Sequence, residues 1–229
     1  MSRLFSLLQG FHMFRKLKKI FGAEPAPEPS QPEKPQLPQV LGLHLGGTFT
    51  LDAIKLRSLE SSLIIEGASP EQRIEAVGVV DLDERRKIVR YYTDDEGFLQ
   101  IQLEDNEIIE IILWYFYETK GILDADWQPL LRDKVAIGQY ELEGHQFSQS
   151  FEGNKPEVIT EKTYFKNGTE SETDQFFMPY IREIESHHAS VELLLVCAEE
   201  KRNKVSGNLE HELVISTGVH LNPIDIKNN

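Results

Sequence analysis

Apolar and polar positions alternate with a period of two through most of the chain from Val40 onward. "RIEAVGVVDL", "KIVRYY" and "FLQIQL" alternate or cluster β-branched and aromatic residues between the turn signals Asp83-Glu84 and Asp94-Asp95-Glu96-Gly97, which predicts an antiparallel meander. "EIIEIILWYFYE" is apolar at successive positions, and its isoleucines and aromatics fit a central strand better than a buried helix. Farther on, "VITEKTYFK" and "TESETDQFF" flank Asn167-Gly168, which predicts a hairpin closed by a type I′ turn. Two long strands, "SVELLLVCAE" and "LEHELVIS", are expected to join around Ser206-Gly207-Asn208. One short helix is expected in this body, near "DADWQPLLRD", with Asp124 or Asp126 as its N-cap. The predicted fold class is mainly β, or β-dominated α+β: antiparallel sheets or a partly open barrel, with a separate N-terminal amphipathic helix.

Residues 1–22 follow a different period. At 100° per residue, Met13, Phe14, Leu17, Ile20 and Phe21 gather on one side of a helix and Arg15, Lys16, Lys18 and Lys19 on the other. Leu4, Leu8 and Phe11 form a separate stripe, so a kink near Gly10 is needed to reconcile the two halves. Phe14, Arg15, Lys16, Leu17, Lys18, Lys19, Ile20 and Phe21 are the expected membrane-binding residues: the apolar side sinks into the interface and the basic side meets anionic headgroups. Docking of the same helix on its own domain or on a partner is the plainer alternative. Translation from Met13 would keep the better amphipathic half and discard the mismatched one. Residues 23–39, "AEPAPEPSQPEKPQLPQ", hold six of the eleven prolines, which predicts an extended, solvated tether ahead of an acidic body at 40–229. At about 3.1 Å per residue the tether would reach roughly 50 Å.

Charge sharpens this division. No acidic residue precedes Gly22, whereas all 38 acidic residues and 19 of the 24 basic ones lie beyond it, so that remainder carries a formal −19. Such a body repels phosphates, and nucleic acid is excluded as a partner of the main domain. The single cysteine, Cys197, cannot form an internal disulfide, and the basic cluster follows the short apolar stretch where a secretory leader would place it first. The expected location is the cytoplasm, with a peripheral position on the inner face of the inner membrane.

Candidate chemistry is sparse. From Gly42 a phosphate loop would find its second glycine at Gly47, but Thr48 stands at the lysine position and Phe49 at the hydroxyl position. "GLHLGG" followed by the strand-like "TFTLDAIKL" lacks the dinucleotide spacing, so the glycines are read as a bend, with Leu41, Leu43 and Leu45 on one face. His187, His188 and His211 lie beside glutamates, but no pair has ligand spacing, and no metal or cofactor is expected. Cys197 within "LLLVCAE" reads as an inert buried thiol. Asp124, Asp126 and Trp127 could pair carboxylates with a sugar-stacking ring, although capping explains the aspartates. The sequon at Asn167 is explained by the turn.

The order of "MFRKLKKIFG", a proline-rich tether, "LGLHLGGTFTLD" and a β-rich acidic body resembles the bacterial YjfK-like family, a domain family of unknown function. Members of that family are found near genes for PspA-like membrane-remodelling proteins, small integral membrane proteins and ATP-grasp ligases resembling glutathionylspermidine synthase. The resemblance implies no catalytic residues. The expected function is a non-enzymatic adaptor, held near the inner face of the membrane by its N-terminal helix and binding a protein partner in envelope stress or membrane maintenance. The alternative is a small-ligand-binding protein, or an enzyme accessory to a polyamine or peptide ligase, using acidic surface for a cation.

Overall fold

A computed structural model describes residues 37–229 apart from 66, 187, 188, 204 and 205. The expected N-terminal helix, its membrane-binding residues Phe14 to Phe21, and most of the tether lie outside the described residues, as do His187 and His188.

The meander forms as the alternation predicts: β2 (Glu71–Asp81), β3 (Arg86–Thr93), β4 (Gly97–Glu104) and β5 (Glu107–Ile122) pair in sequence, all antiparallel. After an excursion the chain adds β8 (Glu157–Phe165), β9 (Glu170–Glu183), β10 (Val191–Arg202) and β11 (Leu209–His220). β11 pairs with β5, β10 with β11, β9 with β10, β8 with β9, and β8 returns to pair with β2. The sheet is therefore a closed eight-stranded antiparallel barrel, with no open side of the kind the sequence left room for. Four residue pairs, Ala76 to Val79 against Phe165 to Lys162, make the closure. At its start the same edge of β2 pairs with β1 (Thr48–Leu51), itself paired with the terminal β12 (Ile226–Asn228). A hairpin of β6 (Gln139–Leu142) and β7 (His145–Gln149) extends β9 beyond the reach of β8.

Both surfaces of the barrel wall carry apolar side chains, because its outside is covered. On one flank Val77, Val89, Tyr91, Leu99, Ile101, Ile111 and Leu113 face outward and pack against Leu43, Phe49, Leu56 and Leu59. The latter two belong to helix α1 (Ala53–Glu60), which Asp52 caps by accepting from the Ile54 and Lys55 amides. "DAIKL", read as strand, is thus the start of a helix. Tyr91 extends this cover by donating its hydroxyl to the Pro38 carbonyl. On the other flank, helix α2 (Asp124–Leu130) and the π-helical turn after it lay Trp127, Leu130 and Val135 over Met178, Leu194, Val196 and Ile215. The N-cap of α2 is Leu123, without a side-chain bond; Asp124 and Asp126 sit in the first turn, where their charge still suits the helix N-terminus.

Leu41, Gly42 and Gly46 adopt positive φ, so the glycine stretch is a pair of turns that delivers Leu43 into the core and the chain into β1, the bend expected of it. The hairpin at Asn167-Gly168 forms, but only Gly168 has positive φ; Phe165 and Thr169 close a three-residue loop. Its geometry is a turn followed by a left-handed glycine, so the predicted type I′ turn is not made there. Both central residues are left-handed instead at Asp105-Asn106, joining β4 to β5, and at Glu143-Gly144, joining β6 to β7.

Candidate functional site

Inward positions of the barrel strands divide into two regions. One half is filled by Ile112, Trp114, Leu193 and Phe177 packed around Phe98 and Leu195. Trp114 lies flat against β11 because residue 218 is glycine: a Cβ there would come within 2.5 Å of the indole ring. Its Nε1 is a buried donor without a partner among the described residues. The other half encloses a cavity of about 410 Å³. That volume lies in the range of small-molecule sites.

The cavity wall is built by strand alternation and two bulges. β3 contributes Arg90 and Tyr92, and β10 contributes Leu195, Cys197, Glu199 and Lys201 at every second position. An extra residue at Glu75 and a register shift opposite Ile215 bring Ala76, Phe116 and Thr119 to the same interior. The mouth lies at the barrel end that carries the turns between β8 and β9 and between β10 and β11, where a second hollow shares Thr173, Glu199, Lys201 and Glu212 with the cavity and reaches Glu210.

At the centre is an ion pair. Arg90 donates to Glu161 at 2.5 Å, with the two side chains 5% and 1% exposed. Arg90 also donates to the carbonyl oxygens of Gln100 at 3.0 Å and Gln175 at 2.7 Å, and its guanidinium lies over the Phe98 ring. Glu161 accepts from the Tyr92 hydroxyl at 2.8 Å and from Gln175 Nε2 at 3.1 Å. Gln100 on β4, Gln175 on β9 and Tyr92 on β3 itself thus hydrogen-bond to the two charges, which is what a buried pair needs to offset its desolvation. Burial opposes the charge of Arg90, but Glu161 and its neighbours hold the guanidinium firmly protonated. Burial, reinforced by Glu161, pushes the Tyr92 hydroxyl well up.

Glu199 is less well matched. It accepts from Gln175 Nε2 at 2.9 Å, and burial, followed by repulsion from Glu161, pushes its carboxyl up to about 7. Burial and Glu199 together push the Cys197 thiol well up, in keeping with the reading of this cysteine as a buried, unreactive thiol. The arrangement offers a molecule an apolar wall beside a hydrogen-bonded polar network.

The residues singled out from sequence lie elsewhere. His211 is on the outer surface of β11, bridging Glu200 at 2.8 Å and Asp124 at 3.1 Å and stacked on Trp127 at 4.3 Å between ring centroids. It joins α2 to the barrel. Trp127 is buried under α2, so the imagined sugar platform does not exist. Among the described residues no cluster of His, Cys, Asp and Glu has the makings of a metal site. Asn167 is in an exposed turn. Sequence reasoning missed Arg90, Glu161, Gln175 and Glu199; the available signal was a polar residue at a regular strand position, together with the lone glycine in "AVGVV".

The fold and site define a closed antiparallel β-barrel with an internal ligand-sized cavity around a buried ion pair. The chain belongs to the family described as "Protein of unknown function (DUF2491)", whose match covers residues 13–227. It is 33% identical over 174 residues to "Uncharacterized protein YjfK" of Escherichia coli (strain K12), an alignment spanning 71% of this chain and 78% of that protein. The YjfK-like resemblance is thereby established. No solved structure matches the chain. Among the described residues no helix is long and apolar enough to cross a membrane.

Proposed function

We propose that this protein binds a small amphipathic molecule inside its barrel. The observation that carries the reading is the cavity of about 410 Å³, with Phe98, Phe116, Leu195 and Val214 as an apolar wall and the network of Arg90, Glu161 and Gln175 as a polar floor. Pockets of this size, mostly apolar with a few convergent polar groups, are the usual form of small-molecule sites. A pocket of this kind ranks ligand binding ahead of the protein-adaptor role expected from the sequence. The test is titration of the full chain with the neutral fluorescent probe N-phenyl-1-naphthylamine. Saturable enhancement by wild type, lost in a folded Val214→Trp variant that fills the cavity, is the expected result. Equal enhancement by both proteins, or none by wild type, refutes the reading.

The basic amphipathic segment supplies a location for this binding. Lys16, Lys18 and Lys19 beside Phe14, Leu17, Ile20 and Phe21 suit an anionic membrane surface, each basic residue adding about 1 kcal/mol near such a leaflet. A tether able to reach roughly 50 Å exceeds a Debye length of about 8 Å, so the acidic body need not approach that surface. Cosedimentation with anionic vesicles is expected to be salt-sensitive and lost on reversing the three lysines to glutamate. Equal pelleting of wild type and variant removes the membrane from the reading and leaves the barrel's ligand untouched.

A further inference from the structure

The cavity's charges do not balance in the way its volume invites. Arg90 spends its charge on Glu161 and bonds Gln100 and Gln175 as well, so the pair as a whole offers no net positive charge to a ligand. Nearer the mouth, Glu199 and Glu212 are direct cross-strand partners on β10 and β11, and both face the cavity. Like charges placed opposite one another across a ladder destabilise it. Lys201 is the cross-strand partner of Glu210, one pair closer to solvent on the same face. Among the described residues neither Glu199 nor Glu212 is in a salt bridge; Glu199 has the amide of Gln175 and a distant Cys197 Sγ at 3.9 Å. Two carboxylates thus stand beside an apolar wall, and among the described residues neither is ion-paired, although Lys201 lines the same hollow nearer to solvent.

We propose that the ligand is cationic: an apolar body lies on Phe98, Phe116, Leu195 and Val214, and a protonated amine or guanidinium sits between the Glu199 and Glu212 carboxylates at the mouth. This rests on the cavity-binding reading above. Charge complementarity works at both ranges. At close range the ligand's cation offsets the repulsion between the two glutamates. At long range a body carrying −19 raises the local concentration of cations at its openings.

The pairing also couples binding to protons. The groups facing Glu199 are Cys197 and Lys201 on its own strand, Glu210 and Glu212 on β11, Gln175 on β9, Glu161 on β8, and Arg90 with Tyr92 on β3. Burial and the carboxylates of Glu161 and Glu212 hold a proton on Glu199 up to about pH 7, and the ligand's cation must displace it. Binding therefore strengthens as pH rises from 6 to 8, a range in which an alkylamine of ordinary pKa stays charged.

The experiment is displacement of N-phenyl-1-naphthylamine from the full chain by octylamine, octanol and octanoate at pH 8 and pH 6. Octylamine is expected to displace the probe at concentrations at least tenfold below those needed for octanol and octanoate at pH 8, with a smaller preference at pH 6. The preference is lost in Glu199→Gln and in Glu212→Gln, while octanol is unaffected. It persists in Glu152→Gln, an exposed control that removes one surface charge. Equal displacement by amine and alcohol, a preference for octanoate, or a preference that survives Glu199→Gln overturns the cationic assignment and leaves the cavity reading standing. Displacement by none of the three sinks the cavity reading and this inference with it.

Discussion

Gly78→Ala adds one methyl group to a strand residue, and its effect follows from what that methyl meets. The backbone at Gly78 is ordinary β, so in open space alanine would stabilise the strand by roughly 0.5–1 kcal/mol through lost unfolded-state freedom. Here the added Cβ would lie 1.8 Å from Glu161 Oε1 and 2.8 Å from its Cδ. The end of a flexible side chain normally swings aside, but this carboxylate is 1% exposed and held by Arg90, Tyr92 and Gln175. Moving it breaks a buried ion pair and leaves Arg90 uncompensated, a change worth about 3–5 kcal/mol. The clash outweighs the entropic gain, and a net loss of roughly 2–4 kcal/mol remains. At about 2–4 °C per kcal/mol for a chain of this size, the thermal midpoint should fall by roughly 5–15 °C. The assay is thermal denaturation of the full chain followed by circular dichroism, repeated in a Glu161→Ala background. There the obstacle is gone, so Gly78→Ala should become neutral or stabilising. A neutral Gly78→Ala in wild type, or an unchanged loss in the Glu161→Ala background, would refute the claim that glycine is required by this carboxylate.

Glu199, held up to about 7 against an ordinary 4.5, favours the folded state at low pH and loses that contribution as pH rises from about 4.5 through about 7. Glu199→Gln should accordingly be more stable than wild type at pH 8 by on the order of 2–3 kcal/mol and equal to it near pH 4, checked by urea denaturation at both. Trp127→Ala removes the ring wedged between His211 and Phe176, and should cost about 3–5 kcal/mol while sparing probe binding in the barrel. Loss of probe binding with an intact fold would show that α2 supports the cavity. If translation begins at Met13, intact-mass measurement of protein from its own host will find the chain starting at Met13 or Phe14; peptides covering Leu4 to Gly10 would sink that idea.

The strands of the barrel were legible because period-two patterning and turn chemistry agree at β2, β3 and β4, and because β-branched and aromatic runs mark β5 and the β10–β11 pair. Short elements were less so. "LDAIKLRSLE" places Leu56 and Leu59 three apart, a helical spacing, but alternates well enough to read as strand, and the Asp52 cap decides it only once the Ile54 and Lys55 amides are seen to point at that carboxylate. Turn type was misread at Asn167-Gly168 because the dipeptide admits two loop lengths. The register of β8 on β9, with Tyr164 opposite Glu170, requires the longer one.

The site was hidden for a different reason. Alternation says that two faces of a strand differ, and a reader assigns the apolar face to the interior. In β3 that assignment is inverted: Val89 and Tyr91 face outward beneath the cover of α1 and the turns before β1, while Arg90 and Tyr92 face the barrel interior. The inversion is possible only because 37–60 and 124–135 wrap the outside and bury it, so that the interior is free to be polar. Arg90 and Glu161 are 71 positions apart and meet only because β8 closes on β2 over four residue pairs. One trace of that meeting is local. Gly78 lies within those four pairs, where a strand flanked by valines would otherwise favour a larger residue, and its missing side chain is the space into which the Glu161 carboxylate fits.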